Sequence, residues 1–217
     1  MLVVNAAKAE ILLYDVIGAG WFDDGITAKS VIEALAPLTG NRVTVRINSP
    51  GGVVDEGIAI YNALKRHEGG VDTVVDSLAA SIASIIALAG ESRTTSAGSR
   101  WMIHRASTIG IGNANDFRKL ADVLAKHDDS LLEIYATHLD KPREEIETML
   151  DAETWFTSDE AVAAGLATSK AGDAVEKPTN WAWFRNPPKD LVASAGGSIR
   201  NYHLSKVKLA RLRAATT

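Results

Sequence analysis

The sequence contains no cysteine, so a thiolate nucleophile, disulfide scaffolds and thiolate metal sites are excluded, and the nucleophile to look for is an oxygen. The best-placed hydroxyl is Ser81. It lies in Ser77-Leu78-Ala79-Ala80-Ser81-Ile82-Ala83-Ser84, which runs into the apolar segment Ile85-Ile86-Ala87-Leu88-Ala89 and stops at Gly90. A helix that is apolar all round is buried, and the unpaired N–H groups of its first turn would flank such a serine. An isolated serine in this setting more often serves packing or capping, so catalysis also requires a base. Of five histidines, His67, His127, His138 and His203 read as surface residues on helices or in the tail. His104 differs because it closes the apolar strand Trp101-Met102-Ile103, and strand ends of α/β sheets are where ligand chemistry collects. A third feature is Ile47-Asn48-Ser49-Pro50-Gly51-Gly52, an apolar strand ending in two glycines ahead of a helix with Asp55 and Glu56 in its first turn. Such glycines allow a main-chain N–H to approach a ligand oxygen, although a plain tight turn has the same composition. The segment lacks the spacing and lysine of a phosphate loop.

These residues need a frame, and the pattern supplies one. Ile11 to Val16, Val43 to Ile47 and Val71 to Val75 read as buried strands, with helices starting near Thr27, Val53 and Ile82. Repeated strand and helix give a mainly parallel sheet with helical crossovers. After extended pieces at Arg93 to Ser96 and Trp101 to Ile103, residues 114–139 form one long helix, with Val123, Leu124, Leu131, Leu132, Ile134 and Tyr135 as its apolar positions. Pro142 opens a shorter helix to Leu150, and Thr157-Ser158-Asp159-Glu160 is a capping box ahead of a helix stopped by Gly165.

The whole chain has 217 residues, 46% apolar and 23% charged, with a net charge of −4. That suits a folded core and offers no basic field for nucleic acid or an anionic bilayer. Its longest uncharged apolar run, Leu78 to Gly90, falls short of the ~18 residues that span lipid. A soluble, unexported, cytoplasmic protein is expected. The charge is uneven: five basic and no acidic residues occupy 191–217. Pro178, Trp181, Trp183, Pro187 and Pro188 mark a linker, so the expected organisation is one domain over 1–171 and a linker with a basic tail over 172–217. Ser198 to Ala215 could form a basic helix.

Taken together, Ile47-Asn48-Ser49-Pro50-Gly51-Gly52, Ala79-Ala80-Ser81, Met102-Ile103-His104 and Trp155-Phe156-Thr157-Ser158 with Gly165-Leu166 resemble the ClpP serine peptidases in order and spacing over residues 10–170. The resemblance implies an α/β fold, a ClpP/crotonase-like spiral of ββα units with a long protruding handle helix through which subunits interlock into homo-oligomeric rings. Carried over residue by residue, it implies Ser81 as nucleophile, His104 as general base, and the main-chain N–H groups of Gly52 and Ile82 as oxyanion donors. The third member of the triad, normally Asp, falls on Glu153, with Asp151 as the rival. Ile82-Ala83 replaces the usual Met-Gly, a change that leaves a main-chain donor in place. Gly51 and Val53 are expected to pair with substrate backbone as an added strand. No cofactor and no metal is implied.

The stretches Gly18-Ala19-Gly20-Trp21-Phe22, Gly25-Ile26-Thr27-Ala28 and Gly112 to Asp116 look like ClpP-related proteases of tailed phages and prophages. That implies prohead maturation, with coat or scaffold protein as the polypeptide substrate. The alternatives are a housekeeping ClpP subunit working with an ATP-driven unfoldase, and a catalytically idle shell or scaffold component. An acyl-CoA enzyme of the crotonase group would share the fold but would not need Ser81 and His104 together.

Overall fold

Alternation from Val43 to Ser49 makes a strand whose Val43, Val45, Ile47 and Ser49 are buried, while Thr44, Arg46 and Asn48 lie on its other side. The computed structural model describes residues 1–19 and 25–171. In chain order the elements are β1 (Leu2–Asn5), β2 (Glu10–Leu13), α1 (Ala28–Leu35), β3 (Val43–Ser49), α2 (Val54–Lys65), β4 (Val71–Ala80), α3 (Ile82–Ala87) and β5 (Ser92–Thr95). They continue with β6 (Arg100–Ile103), α4 (Ala114–Ala136), α5 (Arg143–Ala152), β7 (Thr154–Thr157), α6 (Ser158–Ala163) and β8 (Ser169–Lys170). The expected mixed α/β architecture of strand and helix passes is present.

The sheet runs β1-β2-β3-β4-β5-β8. Pairing is parallel from β2 through β8, and β1 joins antiparallel to β2. Strand β4 carries two neighbours on one edge: β5 along Asp72 to Val75, and β6 along Leu78 to Ala80. Strand β7 then adds antiparallel to β6. Ten residues of β4, two more than are needed to reach Leu78, thus extend the sheet to the serine.

The core lies between the sheet and its helices. Ile11, Leu13, Val45, Ile47 and Val75 pack with Ile60 and Leu64 of α2 and with Ile82, Ile85 and Ile86 of α3, all essentially inaccessible. Every residue of α3 is buried, as its uniformly apolar sequence requires. It packs against α2 at Gly57, where an added Cβ would come within 2.1 Å of Ile82 Cγ1. Capping boxes begin α1 at Thr27 and Ser30, α4 at Asn113 and Asp116, and α6 at Thr157 and Glu160.

Three expectations change. The long helix ends at Ala136 instead of 139, since the Thr137 N–H bonds back to Ile134 and His138 N–H to Tyr135. His138 therefore sits past the helix end, half-buried, and burial lowers its imidazole pKa. Strand β1 has no counterpart among the expected elements. The linker from residue 172, Trp181, Trp183, the possible basic helix from Ser198 and His203 lie outside the described residues, as do Trp21 and Phe22. Among the described residues no helix is long and apolar enough to cross a membrane.

Candidate active site

Strand register brings the chemistry together. In the pairing of β4 with β6, Ala80 lies opposite Met102, and the Ser81 N–H bonds to the Met102 carbonyl at 2.9 Å. In the antiparallel pairing of β6 with β7, Ile103 lies opposite Thr154. One further step along each strand puts Ser81 on one side of His104 and Glu153 on the other. The Leu150 carbonyl fixes this corner by accepting both the Arg105 N–H at 3.2 Å and the Glu153 N–H at 3.3 Å.

His104 Nε2 is 2.8 Å from Ser81 Oγ, within hydrogen-bonding reach. On the other side of the ring, Nδ1 is 4.0 Å from Glu153 Oε2. This is an ion-pair separation and longer than a hydrogen bond, in keeping with catalytic contacts that tighten only when substrate closes the site. The Glu153 side chain is 5% exposed, and Trp155 Nε1–H approaches its other oxygen at 3.5 Å. Asp151, the rival acid, points elsewhere. Its side chain is 61% exposed, and both carboxylate oxygens face the Arg105 guanidinium, which holds its pKa below the usual range. Arg105 also pairs with Asp128 at 3.5 Å.

Ser81 stands at φ +54°, ψ −131°, a conformation a non-glycine residue rarely adopts. Such strain, of order 1–3 kcal/mol, persists only where surrounding structure imposes it. Part of the imposing structure is the Gly-Gly turn. Gly51 has φ +94°, and a Cβ there would meet the Ala80 carbonyl oxygen and Ser81 Cβ at 2.7 Å each. A Cβ on Gly52 would fall 2.0 Å from the Ile17 carbonyl oxygen. Both positions need glycine for close approach, the feature the sequence left ambiguous between a turn and a site. Buried Ser49 shapes the turn by accepting the Gly51 N–H at 3.2 Å.

Gly52 forms a parallel bridge with Ile17. The flanking groups carry it: the Ile17 N–H bonds to the Gly51 carbonyl at 2.8 Å and the Val53 N–H to the Ile17 carbonyl at 2.9 Å. This leaves the Gly52 N–H outside the bridge. Ile82 is the first residue of α3, whose N–H has no acceptor within the helix. The expected strand pairing at Gly51 and Val53 meets a constraint. The Gly51 N–H, the Val53 N–H and the Val53 carbonyl are already bonded, to Ser49, Ile17 and Gly57. A substrate strand there finds the second lone pairs of the Gly51 and Val53 carbonyls, and neither residue's N–H unless the surrounding bonds rearrange.

Sequence reasoning did not find Ser84 and Tyr135 at this site. Ser84 Oγ donates to the Ser81 carbonyl at 2.6 Å and lies 2.6 Å from the Tyr135 hydroxyl. A serine in an apolar run and a tyrosine in an apolar stripe carry no signal of meeting.

Known proteins resemble this chain in sequence and in fold. The Clp protease family model matches residues 15–170. The ATP-dependent Clp protease proteolytic subunit 1 of Chlamydia caviae is 36% identical over 157 residues, covering 67% of this chain and 82% of that protein. Proteolytic subunit 2 of Thermobifida fusca is 37% identical over 149 residues, covering 66% and 73%. Among solved structures, a mutant ClpP1 from Listeria monocytogenes superposes with a TM-score of 0.67 over 77% of this chain and 94% of that one, at 22% identity, a likeness of fold.

Proposed function

We propose that this chain, which belongs to the Clp protease family and is a serine-type peptidase, hydrolyses peptide bonds with Ser81 as nucleophile, His104 as general base and Glu153 as the orienting acid. The observation that carries the reading is the 2.8 Å approach of His104 Nε2 to Ser81 Oγ at a strained strand-to-helix turn. A neutral hydroxyl is a weak nucleophile, so His104 takes its proton as Oγ attacks the amide carbon. Glu153 stabilises the imidazolium that forms. The carbonyl oxygen becomes an alkoxide facing the N–H groups of Gly52 and Ile82, each such donor worth roughly 10²–10³ in rate. Collapse breaks the C–N bond, and the proton on His104 passes to the leaving amine. Water then repeats the sequence on the acyl-enzyme, with His104 as base, and releases the new carboxylate and the serine.

Its working context is read as that of a housekeeping proteolytic subunit: a homo-oligomeric ring fed with unfolded polypeptide by an ATP-driven unfoldase. What supports this is that the relatives are named ATP-dependent Clp protease proteolytic subunits. None of the relatives reported above speaks for capsid maturation, so coat or scaffold protein is not adopted as the substrate.

The test is active-site labelling followed by digestion. A fluorophosphonate should label the protein stoichiometrically, and Ser81→Ala should abolish labelling together with hydrolysis of short fluorogenic peptides. A folded, tagged substrate should be degraded only with an unfoldase and ATP. Absence of Ser81-dependent labelling of the assembled protein would sink the peptidase reading. Defined cuts in folded coat protein without ATP would favour maturation over processive degradation.

A further inference from the structure

The Ser81 carbonyl and the Ile82 N–H belong to one peptide unit. In a trans peptide these two groups point in opposite directions from a rigid plane, so whatever fixes the oxygen fixes the N–H. The Ser81 oxygen accepts two hydrogen bonds from one residue, from Ser84 N–H at 3.0 Å and from Ser84 Oγ at 2.6 Å. A serine hydroxyl has one proton. Ser84 spends it on Ser81, so in the 2.6 Å contact with Tyr135 the phenol must be the donor. Ser84 is 0% exposed and Tyr135 1%, so water offers neither group an alternative. Burial also raises the phenol pKa of Tyr135, which keeps its proton in place.

From this chain of bonds we infer that Ser84 and Tyr135 are positioning residues, a buried hydroxyl pair that locks the Ser81–Ile82 peptide plane so that the Ile82 N–H faces the developing oxyanion. The inference rests on the peptidase reading and adds to it the element that sets one donor. Two consequences follow physically. The lock holds Ser81 at φ +54°, a conformation that would otherwise relax and swing the N–H away. Hydrogen bonds received by a carbonyl also polarise the peptide and strengthen its N–H as a donor. Because Tyr135 lies in the last turn of α4, whereas Ser84 lies in α3, the lock ties the nucleophile's turn to the long helix.

The experiment compares wild type, Tyr135→Phe and Ser84→Ala by peptide hydrolysis, fluorophosphonate labelling rate, inhibition by product peptide and thermal unfolding. Tyr135→Phe keeps the ring and removes only the phenolic donor, while Ser84→Ala removes the side-chain bond to the Ser81 oxygen. The expected result is a fall in kcat of roughly 10-fold for Tyr135→Phe and 10–100-fold for Ser84→Ala, below the full loss of an oxyanion donor. KM and the product inhibition constant should stay within about twofold, since neither group binds ground-state substrate. Labelling of Ser81 should slow in the same proportion as kcat. A mere packing role predicts instead a lower unfolding temperature with kcat unchanged in the molecules that remain folded, and that result overturns the lock. If wild type is not labelled at Ser81 at all, the peptidase reading fails first. Normal labelling with wild-type kcat in both variants removes the lock alone.

Discussion

Glu153 occupies a left-handed backbone position, φ +52°, just past the end of α5. From there the carboxylate reaches back toward His104 with one more methylene than Asp would have. The side chain is almost fully buried, and its nearest oxygen is 4.0 Å from Nδ1. A carboxylate in that place favours the imidazolium and the tautomer that leaves Nε2 free to accept a proton. Glu153→Gln keeps the volume and removes the charge. Its kcat should fall by on the order of 10²–10³, somewhat less than in the tightest triads because the resting contact is long. KM should change little. Asp151→Asn should leave kcat within about threefold, because an exposed ion pair with Arg105 contributes little. Steady-state kinetics on the two variants checks both, and equal losses would contradict the assignment. The two acids lie two residues apart in sequence, and composition alone does not separate them. What separates them is the register of β6 against β7, a long-range property.

At the scale of elements, strands β2, β3 and β4 are tied across their solvent side by one polar network. The Arg46 guanidinium holds the carboxylate of Asp76, which is 0% exposed, with Nε to Oδ2 at 2.8 Å, and it reaches Glu10 at 3.7 Å. The Tyr14 hydroxyl donates to the same carboxylate. Arg46→Met would leave a buried carboxylate with one neutral donor. The expected loss is about 2 kcal/mol in urea unfolding, under the range for fully buried pairs because Arg46 keeps 29% of its side-chain exposure. The phenol is pushed up to about 12, by burial first and then by the Asp76 carboxylate. A group whose folded pKa is raised stabilises the fold below its unfolded pKa and loses that contribution as pH climbs through the folded value. The destabilisation caused by Tyr14→Phe should therefore be constant from pH 7 to about 9.5 and shrink between pH 10 and 12. A gap that widens with pH would refute the assignment.

Much of this framework was legible in the sequence. The β-rich run Val43 to Ile47 marked β3, and the Thr157 capping box marked α6. The uniformly apolar Ile82–Ala87 segment announced a buried helix. Strand β1 was not legible, because Leu2–Asn5 is short and lacks a buried face. The Asn113 capping box was also missed, although it ends a Gly-rich stretch. The Tyr135 and Ser84 contact depends on how α3 and α4 pack, which no local pattern reports.

At the scale of the whole molecule, the long helix stands out among the described elements for how little of it the rest of the described chain covers. Its 23 residues would extend about 34 Å, yet its buried residues are Leu131, Leu132 and Tyr135, all in the C-terminal third. From Ala114 to Ser130 every side chain is exposed or half-buried. The exposed ones include Phe117 at 50% and Val123 at 48%, and the preceding loop exposes Ile109 and Ile111 almost fully. Leu120 and Leu124 continue a stripe from Phe117 at helical spacing. Most helical stability in proteins comes from packing an apolar face against a neighbour. Association with further copies of the chain, as in the proposed ring, would supply that packing. Phe117→Glu combined with Val123→Glu should therefore lower the assembly mass measured by sedimentation velocity. The far-ultraviolet circular dichroism of the core should persist, since neither side chain belongs to it. Peptide hydrolysis should fall with assembly mass and recover with protein concentration, because mass action opposes the weakened contact. An unchanged mass in the double variant would place the subunit contacts elsewhere and leave the stripe without a role in assembly.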